Sequence, residues 1–350
     1  MSIELLPFDC MQEKKRPTII DVALAAKVGA STVSRYVRGG KSVSPRVGQR
    51  IEAAIEQLGY QPNTLARGLR MGRTQTLGVL FPHVNNVFFG NAIRMIQLEA
   101  QRSGFTVMLL MHQEDAKLQR DQLASLKRSH VDGIILVPAA GTNVADVRQL
   151  LGETPVVAFD RPLAPELDSV TLHNRTASFQ ATEHLLWHGH RHILAVTAPH
   201  KLHPLGSRLK GYEEAMIAAG GAPETLVWRN ADGLKRELSS ALTRKRGRVT
   251  AVLSMSYSIT IAILSALRDC SIPLGEIGFI GIDDLEFASF IDPPLTTVAQ
   301  PAERLAQLAL ERLLHRIQQS EDGETARIKL PGVLIVRSSC GCYPAQLARR

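Results

Sequence analysis

Cysteines, long apolar runs and catalytic signatures are all scarce in this chain of 350 residues. Its four cysteines, Cys10, Cys270, Cys340 and Cys342, are too few and too scattered for a disulfide framework. Cys340-Gly341-Cys342 has no histidine or cysteine partner at zinc-site spacing, so reduced thiols and no metal are expected, as in the cytoplasm. No stretch approaches the roughly 18 consecutive apolar residues of a membrane-spanning helix, so no membrane partner is expected. The N-terminus lacks a basic start, an apolar run and a small-residue cleavage site, and it does not read as a signal peptide. Met11 offers a second start, and residues 1–16 read as a disordered extension. Neither a phosphate-binding loop nor G-x-G-x-x-G, G-x-S-x-G or a paired-acid signature is found, so the reading is not an enzyme and needs no cofactor. His184, His188, His190 and His192 crowd together without an H-E-x-x-H carboxylate and read as structural.

What is present is an ordinary globular composition, 45% apolar and 21% charged, on a chain long enough for two or three domains. The net charge of +8 is unevenly placed: residues 1–75 carry +6, and the remaining 275 carry +2. A basic module at one end of a nearly neutral body points to a polyanionic partner met at that end, although a solvated tail would look the same.

Residues 18–59 read as three short helices. Thr18 stands three residues before Asp21, a variant of the capping box, and Val22, Ala25 and Ala26 follow on one face. A second helix runs from about Ser31 to Arg38 with Val33 and Val37 inward, and Gly39-Gly40 ends it. Ser44-Pro45 opens a third, which carries Val47, Ile51, Ala54, Ile55 and Leu58 and stops at Gly59. Two short helices joined by a tight turn with glycine make a helix-turn-helix, and the second exposes Ala30, Ser31, Ser34 and Arg35. Spacing alone also allows a plain three-helix module with a polar face.

The run Ile20-Asp21-Val22-Ala23, then 28–35 (VGASTVSR), Val43-Ser44 and 58–63 (LGYQPN) resembles the headpiece of the lactose/galactose repressor (LacI/GalR) family in order and spacing. Two departures stand out. Lys27 occupies the place of a turn glycine, which implies strain if its backbone is left-handed, and Gly29 occupies the place of a Ser/Thr cap. The resemblance implies that Ala30, Ser31 and Arg35 read bases. It makes Thr32 and Ser34 phosphate contacts or packing residues, and it adds Thr18, Asn63, Ala66 and Leu69 to the DNA-facing set. Residues 17–62 are then the DNA-binding domain and 63–75 a hinge helix and linker. The hinge segment is too short to be a stable helix alone; in the family it pairs across a dimer and inserts a leucine, here Leu69, into the minor groove.

From Thr76 apolar runs alternate with amphipathic stretches. Expected strands are Thr76–Phe81, Thr106–Met111, Gly133–Pro138, Pro155–Phe159, His192–Thr197, Thr250–Ser254 and Ile277–Ile282, with helices such as Ala92–Ser103 and Arg175–His188 between them. This alternation predicts an α/β fold: two lobes of parallel sheet flanked by helices, with ligands at the carboxyl ends of the strands. Residues 76–350 resemble the family's periplasmic-binding-protein-like core through marks such as 159–161 (FDR), 189–193 (GHRHI), Arg208-x-x-Gly211-Tyr212 and Gly281-x-Asp283-Asp284. By analogy the lobes are about 76–172 with 301–331, and 173–300 with 332–350.

The resemblance places the effector among His83, Phe88, Asp160, Arg208, Trp228, Tyr257 and Asp283. His83 and His173 stand where the family often has aspartate, which hints at an acidic ligand such as a sugar acid; the ligand class stays open. The expected protein is a cytoplasmic homodimer that binds a palindromic double-stranded DNA operator under control of a small molecule. The alternatives are a regulator with a degenerate pocket, or a sugar-binding protein without DNA function. The eight residues after Cys342 contain no leucine heptad, so a C-terminal coiled-coil tetramer is not expected.

Overall fold

The computed structural model describes residues 17–37, 43–60, 73–199, 202–319 and 324–341. The expected N-terminal extension, the hinge residues Asn63, Ala66 and Leu69, and the tail from Cys342 lie outside the described residues. The chain divides into two compact units, with the boundary between Thr74 and Gln75.

The first unit contains α1 (Ile19–Ala25), α2 (Ala30–Val37) and α3 (Pro45–Leu58). The capping box is formed: the Thr18 amide donates to Asp21 Oδ2 at 2.7 Å, and the Asp21 amide donates to Thr18 Oγ1 at 3.4 Å. At α3 the Ser44 side chain makes no cap bond, and Pro45, which has no N–H to satisfy, begins the helix. Gly59 ends α3 in the left-handed conformation, at φ 59. Val22, Ala23, Ala26, Val33, Ile51 and Ala54 form the small core, with Val37, Val47, Ile55 and Leu58 packed around it. Ala25, expected on the buried face, is exposed; Ala23 takes its place, because the face of α1 that meets the other two helices is set by Val22 and Ala26.

Lys27 is left-handed, at φ 50, so the anticipated strain is present. Arg50 braces this turn by donating to the Lys27 carbonyl at 3.1 Å and to that of Ala26 at 2.5 Å. The left-handed region costs an L-residue about 1–2 kcal/mol, and glycine gives part of this back through chain entropy. Lys27→Gly should therefore stabilise this unit by about 0.5–1 kcal/mol, read as slower amide exchange in α1 and α2 of the full chain. Unchanged or faster exchange would refute it.

The second unit is built on two sheets of six strands. One contains β1 (Thr76–Phe81), β2 (Thr106–Met111), β3 (Gly133–Leu136), β4 (Val156–Phe159), β5 (Asp168–Leu172) and β11 (Arg327–Leu330), in the order β11-β5-β4-β3-β1-β2. The other contains β6 (Ile193–Thr197), β7 (Glu224–Val227), β8 (Ala251–Ser254), β9 (Gly278–Ile282), β10 (Thr296–Ala299) and β12 (Val333–Ile335), in the order β12-β10-β9-β8-β6-β7. Every pair is parallel except β10 with β12. All seven expected strands are present, with β3 ending at Leu136 rather than Pro138, while β5, β7, β10, β11 and β12 were not foreseen.

The helices are α4 (Val87–Arg102), α5 (Ala116–Arg128), α6 (Val144–Leu151), α7 (Asn174–Trp187), α8 (His203–Ala218), α9 (Ala231–Thr243), α10 (Tyr257–Asp269) and α11 (Ala302–Gln318). Strand alternation sends Leu77, Val79, Phe81, Ile135 and Val157 to α4 and α11, and Leu80, Ile134 and Leu136 to α5 and α6. The central strands of the first sheet are thus covered on both faces, as buried parallel strands require. Gly211 lets α8 lie directly on α7, since a Cβ there would collide with the Arg175 carbonyl. None of the described helices is long and apolar enough to cross a membrane.

The chain passes from the first sheet to the second after β5, returns through α11 after β10, and passes back between β11 and β12. One polar hub holds the returning segment. Asp168, buried at the start of β5, accepts from Arg312 at 2.9 and 3.1 Å and from Arg316 at 2.7 and 3.3 Å, both on α11. It also accepts the Ala326 amide at 2.7 Å, just before β11.

Candidate DNA-reading helix and effector cleft

On α2 the alternation of small and apolar residues sorts the faces. Val33 is fully buried, while Ala30, Ser31 and Arg35 are exposed and Thr32 and Ser34 half-buried. Small side chains at the N-terminal end leave its backbone accessible to a groove. Arg35 Nε donates back to the Ser31 carbonyl at a long 3.4 Å, so the guanidinium rests against its own helix and can swing outward. Gly29 supplies the first carbonyl of the helix, accepting from the Thr32 amide at 2.8 Å, without a capping side chain. Thr18 is exposed at the start of α1.

In the second unit, the parallel strands of each sheet bring their carboxyl ends to one edge. There the chain turns sharply: Asp160 after β4 has φ 63, and Asp283 after β9 has φ 73. Both carboxylates are buried, as is Arg208 on α8. Arg208 donates from Nε to Asn174 Oδ1 at 2.7 Å and from Nη1 to the Met255 carbonyl at 2.8 Å. Its Nη2 makes no hydrogen bond to any described residue. Burial pushes both carboxyls above the usual range, against the pull of Arg208 on each, of Arg161 on Asp160 and of the Gln300 amide on Asp283. Burial lowers the Arg208 guanidinium in turn, against the pull of Asp283 and Asp160. One buried cation thus feels the charge of an acid from each sheet.

Arg161 is held elsewhere. It forks onto Glu114 at 2.6 and 2.9 Å, donates to the Pro138 carbonyl at 2.8 Å and approaches Asp160 at 3.3 Å. Asp160 and Arg161 thus form a buried ion pair that Glu114, which sequence reading missed, extends. Gln300 was missed too: its Nε2 donates to Asp283 at 2.6 Å, and its buried Oε1 has no partner among the described residues. Trp228, following β7, is half-buried, and its buried Nε1 likewise has none. Tyr257 opens α10, and its backbone helps hold down the Asp283 carboxyl. Phe88 is taken into the first core, stacked on Phe159 at 5.7 Å, and His83 lies exposed beyond β1. Asp160, Arg208, Tyr257 and Asp283 thus interact with one another, while His83 is exposed after β1 and Phe88 stacks on Phe159, the residue before Asp160.

A helical module with an exposed second helix, and a two-sheet core with charged strand ends, define a ligand-binding regulator of DNA. Residues 18–63 match the family described as bacterial regulatory proteins, lacI family, and residues 182–340 match the periplasmic binding protein-like domain. The chain belongs to the LacI family of transcriptional regulators. It is 32% identical to the HTH-type transcriptional regulator PtxS of Pseudomonas putida, over 93% of this chain and 96% of that one. It is 31% identical to the ribose operon repressor of Escherichia coli K12, over 92% and 99%. The fold matches that of the lac repressor dimer bound to operator, with a TM-score of 0.79 at 24% identity, over 93% and 99%. These relatives are DNA-binding regulators, not enzymes.

Proposed function

We propose that the protein is a cytoplasmic homodimeric repressor whose operator affinity is set by a polyhydroxylated acid, a sugar acid, bound in the cleft between the sheets of residues 76–350. Residues 17–62 act as the DNA-binding domain and 63–75 as the hinge. The carrying observation is Arg208, a buried cation that interacts electrostatically with Asp283 and Asp160 and whose Nη2 has no hydrogen-bond partner among the described residues. A ligand carboxylate or hydroxyl accepts from it, other hydroxyls donate to Asp160, Asp283 and Gln300 Oε1, and Trp228 Nε1 donates to the ligand. A thermal-shift panel of sugars and sugar acids tests this. A rise in Tm with a sugar acid supports it, and no rise with any ligand favours a regulator with a degenerate pocket.

In the headpiece Ala30, Ser31 and Arg35 read base edges, with Thr18, Thr32 and Ser34 beside the backbone. Selection of bound duplexes from random DNA at about 150 mM salt, where non-specific phosphate binding is weak, should enrich a near-palindrome read by a two-fold dimer. Arg35→Ala should cost about 1–3 kcal/mol at one base pair of each half-site and relax preference there. An unchanged selected sequence would remove Arg35 from the reading surface.

A further inference from the structure

Three ligand-type side chains that lie far apart in sequence meet at the C-terminal end of α7. His184 and His188 are one helical turn apart, and their ring centroids lie 4.7 Å from one another. Cys340 arrives from the segment after β12, and its Sγ lies 3.2 Å from His184 Nε2. One ligand atom from each of the three residues falls within 4.8 Å of the other two. Around a tetrahedral zinc ion, nitrogen and sulfur ligands stand about 3.5 Å apart, so small side-chain rotations close the triangle on a metal. We propose that His184, His188 and Cys340 bind a borderline-soft divalent cation, zinc, with a water in the fourth position.

The surroundings fix the sulfur and suit a cation. Cys340 is fully buried; the Thr296 hydroxyl donates to its Sγ at 3.2 Å and the Sγ lies 3.6 Å from the Arg337 carbonyl, so the sulfur is held in a fixed direction toward His184. His188 caps α7, where the carbonyl end of the helix dipole attracts positive charge. Arg191 already uses that end, donating to the Leu186 carbonyl at 2.7 Å. Two imidazoles and a thiolate select zinc, cobalt or copper over magnesium and calcium. Binding takes one lone pair from each imidazole and one from the sulfur, the Cys340 thiol proton leaves to solvent, and nothing is oxidised or reduced. The metal ties the C-terminal segment to α7 across more than 150 residues of chain. This site is separate from the cleft and does not rest on the effector assignment.

The full-length protein, stripped with a chelator, is titrated with Co²⁺ and then with Zn²⁺. One Co²⁺ should bind per chain, with a thiolate-to-cobalt charge-transfer band and the visible bands of a four-coordinate site, and Zn²⁺ should displace it. The charge-transfer band should vanish in Cys340→Ser. His188→Gln, at a half-exposed position, should weaken Co²⁺ at least about tenfold while its metal-free circular dichroism matches that of the parent. At a hundredfold excess over Kd, Zn²⁺ should raise the Tm of the parent by about 5 °C. A parent with no thiolate band, a band that survives in Cys340→Ser, or unchanged affinity in His188→Gln would each overturn the assignment.

Discussion

Replacing Arg208 with alanine is expected to abolish the effector response while operator binding in the absence of effector persists. The guanidinium interacts electrostatically with two buried acids from different sheets, and Asn174 and the Met255 carbonyl fix its direction. Removing one member of a buried charged contact to a ligand costs about 2–5 kcal/mol, at least about 30-fold in affinity. Arg208→Lys keeps the charge but loses the planar fork, so it should recover only part of the loss. Ligand-induced Tm shifts and operator occupancy, measured on the same samples, separate the cleft from the headpiece. A normal effector response in Arg208→Ala would place the pocket elsewhere, and lost operator binding without effector would show a folding defect instead.

The second large effect is expected at Asp168, which lies in neither functional site. Alanine there leaves Arg312 and Arg316 facing each other without their shared acceptor, at a cost of about 3–5 kcal/mol. For a core of this size that is a fall in Tm of roughly 10 °C. Burial pushes the Asp168 carboxyl up, but Arg316, Arg312 and the Ala326 amide outweigh it and hold it below the usual carboxylate range. Its folded value is thus lower than its unfolded value of about 3.9. The stabilisation is complete above about pH 5 and is lost as the pH falls through the folded value. Urea melts between pH 7 and 3 should show acid loss of stability in the parent and a flatter profile in Asp168→Ala. Parallel profiles would contradict this account.

The elements that sequence reading found are those with one dominant signal. Continuous apolar runs such as Thr76–Phe81 and Gly278–Ile282 announce doubly covered parallel strands, and the helices of the headpiece are punctuated by Thr18, Pro45 and Gly59. β5 was missed because Asp168, Ser169 and Thr171 make it look exposed, although every one of its residues is buried. The acid is tolerated only because two arginines reach it from α11, some 150 residues on. β7, β10 and β11 are four partly polar residues each and β12 only three residues, too short for periodicity to separate from loop. At the cleft, Asp160, Arg208 and Asp283 were readable from motif positions. Glu114 and Gln300 were not, since each matters through a partner that only the tertiary fold supplies. The meeting of His184 and Cys340 was hidden for the same reason.

The threefold passage of the chain between sheets also orders events on the ribosome. Leu77, Val79, Ile135 and Val157 emerge long before Ala302, Leu305, Ala309 and Leu313, the residues of α11 that cover them. The second sheet is synthesised almost entirely in that interval, yet it lacks β12 until the last residues appear. A nascent chain halted near residue 300 would therefore hold a DNA-reading head, a second sheet without its final strand and a first sheet with one apolar face bare, the state in which chaperones and proteases would meet it.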